Sequence, residues 1–162
     1  MAAADVAVVL AGPTASRIAG GMPAATTPNA RQPRGELVLR TIAMPADTNA
    51  AGDIFGGWLL SQMDIGGAIL AHQTARSRVT TVAVEGMEFH RPVLVGDIVA
   101  CFAELMRVGR TSFRIHIEVW VQRHVENTQE CVTEGVFTYV ALGDNSRPQL
   151  VYHDGNPAPE GR

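Results

Sequence analysis

A carboxylate lies deep within one of the most apolar stretches of this chain. Asp64 stands in NAAGDIFGGWLLSQMDIGGAIL, residues 49–70, with Ile, Leu, Met and Gly around it. Burying an ionised carboxylate is costly unless it is paired or hydrogen-bonded. Such a group can act as a general base on water or attack a carbonyl as a nucleophile. A structural carboxylate, which caps another helix or pairs with an arginine, is the alternative that the residue type leaves open.

Two glycines precede this carboxylate by about two helical turns. Gly56 and Gly57 begin a segment, residues 56–75, whose apolar composition predicts a helix. At 3.6 residues per turn Asp64 falls on the same face as Gly57, with Ser61 between them. Backbone N–H groups at a helix start carry a positive field, and glycine lets a ligand approach the backbone closely. The spacing therefore favours an oxyanion-binding helix start on the face that carries the carboxylate.

The predicted helix has no polar face to offer to water. Its large apolar side chains point in every direction: Trp58, Leu59, Leu60, Met63, Ile65, Ile69 and Leu70. A helix that is apolar all round is buried on all sides. One subunit covers only one side of it, so we expect an obligate oligomer. The Gly66-Gly67 pair would then allow close helix-to-helix approach at the dimer interface.

Strand patterns flank the helix. Residues 36–43 are predicted to form the first strand, and later strands are predicted over residues 79–90, 98–108, 112–123 and 131–142. The clearest is SFRIHIEVWVQR, in which apolar and polar residues alternate. Gly86 marks a β-bulge and Gly109-Arg110 a hairpin turn. One long apolar helix and antiparallel strands predict an α+β fold, with a sheet of about five strands wrapped around the helix.

Length and composition predict one domain and exclude several function classes. Residues 36–151 are predicted to form the domain, between mobile tails at 1–35 and 152–162. The net charge of −3, with all 13 basic residues arginine, gives no support for a nucleic-acid surface. No segment is predicted to span a membrane. Two cysteines without ligand spacing favour a reduced, cytoplasmic location.

Three motifs carry a resemblance to a known family. They are MPADTNAAGDIFGGWLLSQMD at residues 44–64, VEGMEFHRPVLVGD at 84–97 and GRTSF at 109–113. The chain resembles the YciA-type branch of hotdog-fold acyl-CoA thioesterases from about Glu36 to Leu142. The resemblance implies a sheet wrapped around a central helix, dimers that join sheets edge to edge, and often a hexamer as a trimer of dimers. It also implies hydrolysis of fatty acyl-CoA thioesters to a free acid and coenzyme A.

The resemblance assigns roles residue by residue. Asp64 matches the catalytic carboxylate on the central helix. Asn49 matches a loop asparagine that completes the site from the partner subunit, although an asparagine here can also satisfy its own turn. Gly56 and Gly57 match the helix start whose N–H groups face the thioester carbonyl.

Four further residues are candidates for substrate binding. Arg91 and the run Arg110, Thr111 and Ser112 could hold the phosphates and pantetheine of coenzyme A, because guanidinium forks suit phosphate. Solvated turn residues are the equal alternative. The five histidines share no metal-ligand spacing, so we expect no metal and no cofactor.

Two other functions compete with the thioesterase. A hotdog dehydratase or hydratase needs a catalytic histidine where Asp64 and Asn49 stand. A non-catalytic acyl-CoA sensor of the repressor type needs a DNA-binding helical module, and residues 1–35 lack the required periodicity. Motifs for a GxSxG hydrolase, a P-loop or a GxGxxG dinucleotide loop are absent from the sequence.

Overall fold

A five-stranded antiparallel sheet packs against one long helix in the computed structural model, which describes residues 31–123, 128–153 and 155–157. The elements in chain order are β1 Glu36–Ile42, a short 3-10 helix Pro45–Asp47, α1 Gly56–Ala75, β2 Arg78–Phe89, β3 Ile98–Val108, β4 Ser112–Gln122 and β5 Gln129–Leu142. The bounds of the helix are those predicted, and each strand lies within two residues of its predicted bounds. No helix in these ranges is long and apolar enough to cross a membrane.

The strand order β1-β3-β4-β5-β2 places β4 at the centre and leaves β1 and β2 at the edges. The alternation predicted for β4 is confirmed for its core-facing side, whereas Glu118 and Trp120 on the other side are also buried, at 0% and 4% exposure. Its core-facing residues are all fully buried: Phe113, Ile115, Ile117, Val119 and Val121. The predicted bulge is also present, because the pairing of β2 with β5 shifts between Glu85 and Glu88, where Gly86 has a φ of +59°.

The helix is covered on one side only. Leu59 and Met63 pack against the sheet and are buried, whereas Ile65 remains 49% exposed and Ile69 36%. On the edge strand β2, Val82 is also 56% exposed. An apolar helix half covered by its own sheet is what the sequence predicted for a single subunit.

The glycine pair in the middle of the helix does not have the role that was predicted. A Cβ on Gly66 would lie 2.9 Å from Val38 Cγ2, and a Cβ on Gly67 would collide with the Tyr139 hydroxyl. Both glycines are buried against the chain's own sheet. The prediction of a helix-to-helix contact is wrong, because the sheet itself approaches the helix backbone at this point.

The chain remains ordered against the core beyond residue 151, where the second tail was predicted to begin. Asn156 is 7% exposed, and its Nδ2 donates to the carbonyls of Thr74 and Val151, both at 2.8 Å. These bonds attach the end of the domain to the last turn of α1. Residues 1–30 and 158–162 of the predicted tails lie outside the described residues.

Candidate active site

Asp64 lies half-buried in the middle of α1, facing two paired strands. Thr81 on β2 donates its hydroxyl to Asp64 Oδ1 at 2.5 Å. Tyr139 on β5, the direct cross-strand partner of Thr81, places its hydroxyl 3.0 Å from the Asp64 carbonyl oxygen and 3.4 Å from Oδ1. The sheet therefore holds one oxygen of the carboxylate in a defined position.

The second carboxylate oxygen is not engaged in this way. Asp64 Oδ2 has no hydrogen-bond or ion-pair partner among the described residues, and no arginine or histidine there reaches the carboxylate. The structural alternative, an arginine salt bridge, is therefore not found within the described part of one protomer. A carboxylate with one anchored oxygen and one unengaged oxygen can accept a proton from water or attack an electrophile.

Two open pockets meet at Asp64. The pocket toward the start of α1 has a volume of about 300 Å³ and is lined by Gly57, Leu60, Ser61, Asp64, Thr81 and Val84. The pocket toward the end of the helix has a volume of about 530 Å³ and is lined by Asp64, Ile65, Ile69, His72, Gln73 and Arg78. The carboxylate thus lies on the wall of two mainly apolar pockets.

The helix start is open to ligands. Trp58 and Leu59 donate their N–H groups to the Phe55 carbonyl, whereas the N–H groups of Gly56 and Gly57 have no acceptor in the described ranges. A Cβ on Gly57 would meet only Phe55 Cδ1, at 3.6 Å. Free N–H groups at a helix N-terminus are suited to stabilise negative charge on a bound oxygen. The predicted donors are therefore available.

Asn49 organises its own loop. Its Oδ1 accepts hydrogen bonds from the N–H groups of Ala51 at 2.9 Å and Asp53 at 3.2 Å. These bonds are the Asx-turn geometry typical of this residue. Its Nδ2 has no acceptor among the residues described, and no hydrogen bond joins it to Asp64 in the same protomer. The structure does not bring Asn49 and Asp64 together within one chain.

The four predicted substrate-binding residues lie at opposite ends of the sheet. Arg91 donates its N–H to the Val132 carbonyl and pairs with Glu130 at 2.6 Å, whereas the Thr111 carbonyl accepts from the Ala141 N–H. Residues 132 and 141 are about 30 Å apart along β5, at about 3.4 Å per residue. Arg110 and Ser112 adjoin Thr111, so one protomer does not place this run beside Arg91.

Comparison with known proteins identifies the family. A model of the thioesterase superfamily matches residues 51–127. The chain is 57% identical over 122 residues to the acyl-CoA thioester hydrolase YciA of Escherichia coli, covering 74% of this chain and 92% of the relative. It is 52% identical over 134 residues to an uncharacterized acyl-CoA thioester hydrolase of Haemophilus influenzae, covering 81% of this chain and 87% of the relative. The chain belongs to the YciA family of acyl-CoA thioester hydrolases.

Solved structures confirm the hotdog fold. A hexameric thioesterase from Yersinia pestis matches with a TM-score of 0.73 and 55% identity, covering 79% of this chain and all of that chain (100%). A hexameric hotdog fold thioesterase of Campylobacter jejuni matches with a TM-score of 0.67 and 40% identity, covering 72% of this chain and 90% of that chain. The predicted family, fold class and enzyme class are therefore confirmed.

Two residues beside Asp64 were missed from the sequence. Thr81 carries no signal beyond its place in a predicted strand. Tyr139 shares the inward side of β5 with Phe137, so the alternation could have marked it as a core residue that needs a polar partner. Burial, together with the nearby Asp64 charge, raises the pKa of Tyr139 well above its usual range. Its hydroxyl therefore keeps its proton and acts as a donor.

One group of side chains away from Asp64 has metal-ligand geometry. His116, Glu118 and Glu134 place their ligand atoms within 4.8 Å of one another. Arg34 already pairs with Glu118 at 2.9 Å and approaches Glu134 at 3.8 Å. A guanidinium thus supplies the positive charge that these carboxylates require.

Proposed function

We propose that this protein hydrolyses acyl-CoA thioesters to a free carboxylic acid and coenzyme A, with Asp64 as the general base or nucleophile. The observation that carries the proposal is the way in which the Asp64 carboxylate is held and exposed. Thr81 anchors its Oδ1, Oδ2 has no partner among the described residues, and two pockets meet there. The names of the YciA relatives, which are acyl-CoA thioester hydrolases, support the choice of substrate.

The proposed reaction uses the helix start as an oxyanion site. As general base, Asp64 takes a proton from water while the water oxygen bonds to the thioester carbonyl carbon. Negative charge develops on the carbonyl oxygen, which accepts hydrogen bonds from the Gly56 or Gly57 N–H. The carbonyl then re-forms as the C–S bond breaks, and the departing thiolate takes the proton from Asp64, which returns to its carboxylate form. Loss of one oxyanion donor costs about 3 kcal/mol in other enzymes, so these glycines are as important as a side chain.

The proposed enzyme works as an oligomer. The uncovered side of α1 and the edge strand β2 expose Ile65 and Val84 at 49% and 42%. A second copy that covers these side chains would close the open groove and convert it into a water-poor site. Because Asn49 does not reach Asp64 in its own chain, we assign it to the site of a second copy. The hexameric relatives support six copies, and we propose that these are arranged as a trimer of dimers.

The proposed coenzyme A site is likewise shared between copies. Arg91 near the helix start and Arg110, Thr111 and Ser112 at the other end of the sheet are too far apart to bind one headgroup from one chain. They would contact the phosphates and pantetheine only if neighbouring copies bring them together. The proposed location is the cytoplasm, consistent with the free thiols of Cys101 and Cys131.

Release of free thiol from acyl-CoA at pH 8 tests the proposal. Acetyl-, butyryl-, octanoyl- and palmitoyl-CoA are each followed with a thiol reagent, against a control without substrate that corrects for the protein's own cysteines. Enzyme-dependent thiol release with at least one chain length is expected. Saturable binding of every acyl-CoA without thiol release would contradict hydrolysis and support the acyl-CoA sensor instead.

A further inference from the structure

We propose that Tyr139 is a positioning residue for the Asp64 carboxylate, and that residue 67 is glycine to admit its phenol. The inference rests on the proposed function, because positioning has a purpose only if the carboxylate reacts. Asp64 lies two residues before the buried pair Gly66-Gly67 in α1. Its backbone therefore lies beside the point where the sheet approaches the helix backbone closely. The phenol of Tyr139 is fully buried at that point.

The Tyr139 hydroxyl has one proton and two acceptors within reach. The Asp64 carbonyl oxygen lies at 3.0 Å and Oδ1 at 3.4 Å, so the shorter hydrogen bond is to the backbone. The phenol therefore fixes the helix itself at Asp64. Thr81, paired with Tyr139 across β2 and β5, fixes the side chain at Oδ1. Backbone and side chain of one residue are held from two neighbouring strands.

Gly67 supplies the space that this contact needs. A Cβ at this position would collide with the Tyr139 hydroxyl and lie 2.6 Å from Ile117 Cδ1. Glycine in a helix interior is unfavourable relative to alanine, so its use here needs a reason. The close approach of the phenol to the helix backbone is that reason.

The arrangement distinguishes the two carboxylate oxygens. Both hydroxyl groups lie on the Oδ1 side, and Oδ2 has no partner among the described residues. We therefore assign Oδ2 as the oxygen that meets water or the thioester. Because burial raises the pKa of Tyr139 above its usual range, the donor persists throughout the pH range in which such an enzyme is assayed.

Removal of the hydroxyl alone tests the inference. Tyr139→Phe should lower kcat about tenfold and change KM less than about twofold, the pattern of an interaction that matters in the transition state. Tyr152→Phe is the matched control, because Tyr152 is the second of two tyrosines, packs against the core and makes no hydrogen bond to Asp64 among the described residues. Both variants should retain the wild-type circular dichroism spectrum. Wild-type kcat in Tyr139→Phe would overturn the inference.

A double-mutant cycle separates positioning from general support of the fold. If Tyr139 acts through Asp64, Tyr139→Phe should lower the residual activity of Asp64→Asn less than about twofold. The same tenfold loss in both backgrounds would show a structural role and overturn the inference. A normal Tyr139→Phe enzyme beside an inactive Asp64→Asn enzyme refutes the positioning role alone. A fully active Asp64→Asn enzyme refutes the catalytic role proposed for Asp64 as well, whereas absence of thiol release from the wild-type protein refutes the proposed hydrolysis.

Discussion

Replacing one buried glycine should damage this fold more than replacing its neighbour. In Gly67→Ala the new methyl group collides with the Tyr139 hydroxyl and lies 2.6 Å from Ile117 Cδ1. Both neighbours are fully buried, and Ile117 is on the central strand, so neither can move into solvent. In Gly66→Ala the nearest atom is the terminal Val38 Cγ2 at 2.9 Å, on the edge strand β1 and only partly buried.

The magnitude follows from three opposing effects. Overpacking a core costs about 1–3 kcal/mol. Displacing the phenol also leaves a buried hydroxyl without its acceptor, which costs about 1–3 kcal/mol. Alanine in place of glycine stabilises a helix by about 1 kcal/mol. We therefore expect Gly67→Ala to lower the free energy of unfolding by about 3 kcal/mol, or its Tm by about 6–12 °C. Gly66→Ala should stay within about 1 kcal/mol of wild type.

Thermal melts at one protomer concentration measure this difference, because assembly makes Tm depend on concentration. The comparison of the two alanine variants removes the shared gain in helix propensity. A Gly67→Ala protein at least as stable as Gly66→Ala would refute the packing that we describe between the helix and Tyr139.

Three further outcomes follow from the site. Gly57→Ala has room for its methyl group, so stability should hold or rise by up to about 1 kcal/mol. Alanine keeps the N–H donor, but its methyl group would hinder the approach of the thioester carbonyl, so kcat/KM should fall at least about tenfold, and a fully active, stable variant would show that this approach does not require glycine. Burial raises the pKa of Cys101 from its ordinary 9.0 to about 12, so the folded state keeps a proton that the unfolded state loses. Stability should be constant below pH 8 and lower by about 1–2 kcal/mol at pH 10, and urea melts should show a smaller loss in Cys101→Ala. Mixing inactive Asp64→Ala with inactive Asn49→Ala subunits should restore some activity, and no recovery after verified exchange would place both groups in one subunit's site.

The helix and strands could be predicted because the apolar periodicity of each segment agrees with the side chains that the fold buries. Helix α1 has no polar face, and every second residue of β4 from Phe113 to Val121 is apolar, so each pattern specifies an element and a side that it buries. Gly86 indicated its bulge for the same local reason. The place of a residue within one helix or strand can be read directly from the sequence.

The contacts between elements could not be predicted in the same way. Gly66-Gly67 indicated a close approach, but the sequence does not say whether a helix or a strand approaches. Thr81 and Tyr139 meet Asp64 only because β2 pairs with β5 in one register. A shift of β2 by one residue in that register would turn Thr81 away from the helix and leave Tyr139 without this partner. The separation of Arg91 from Arg110 also depends on sheet topology.

The most direct test of the central claim is Asp64→Asn, with thermal melting and acyl-CoA hydrolysis measured on one preparation. The asparagine carbonyl oxygen can still accept hydrogen bonds from Thr81 and Tyr139, so the fold and Tm should be retained. Activity should fall at least about 10²-fold, the low end for loss of a general base. Asp144→Asn, the same change in an exposed turn, should leave both quantities unchanged. An Asp64→Asn protein that is unstable but active in its folded fraction would contradict the catalytic role of Asp64.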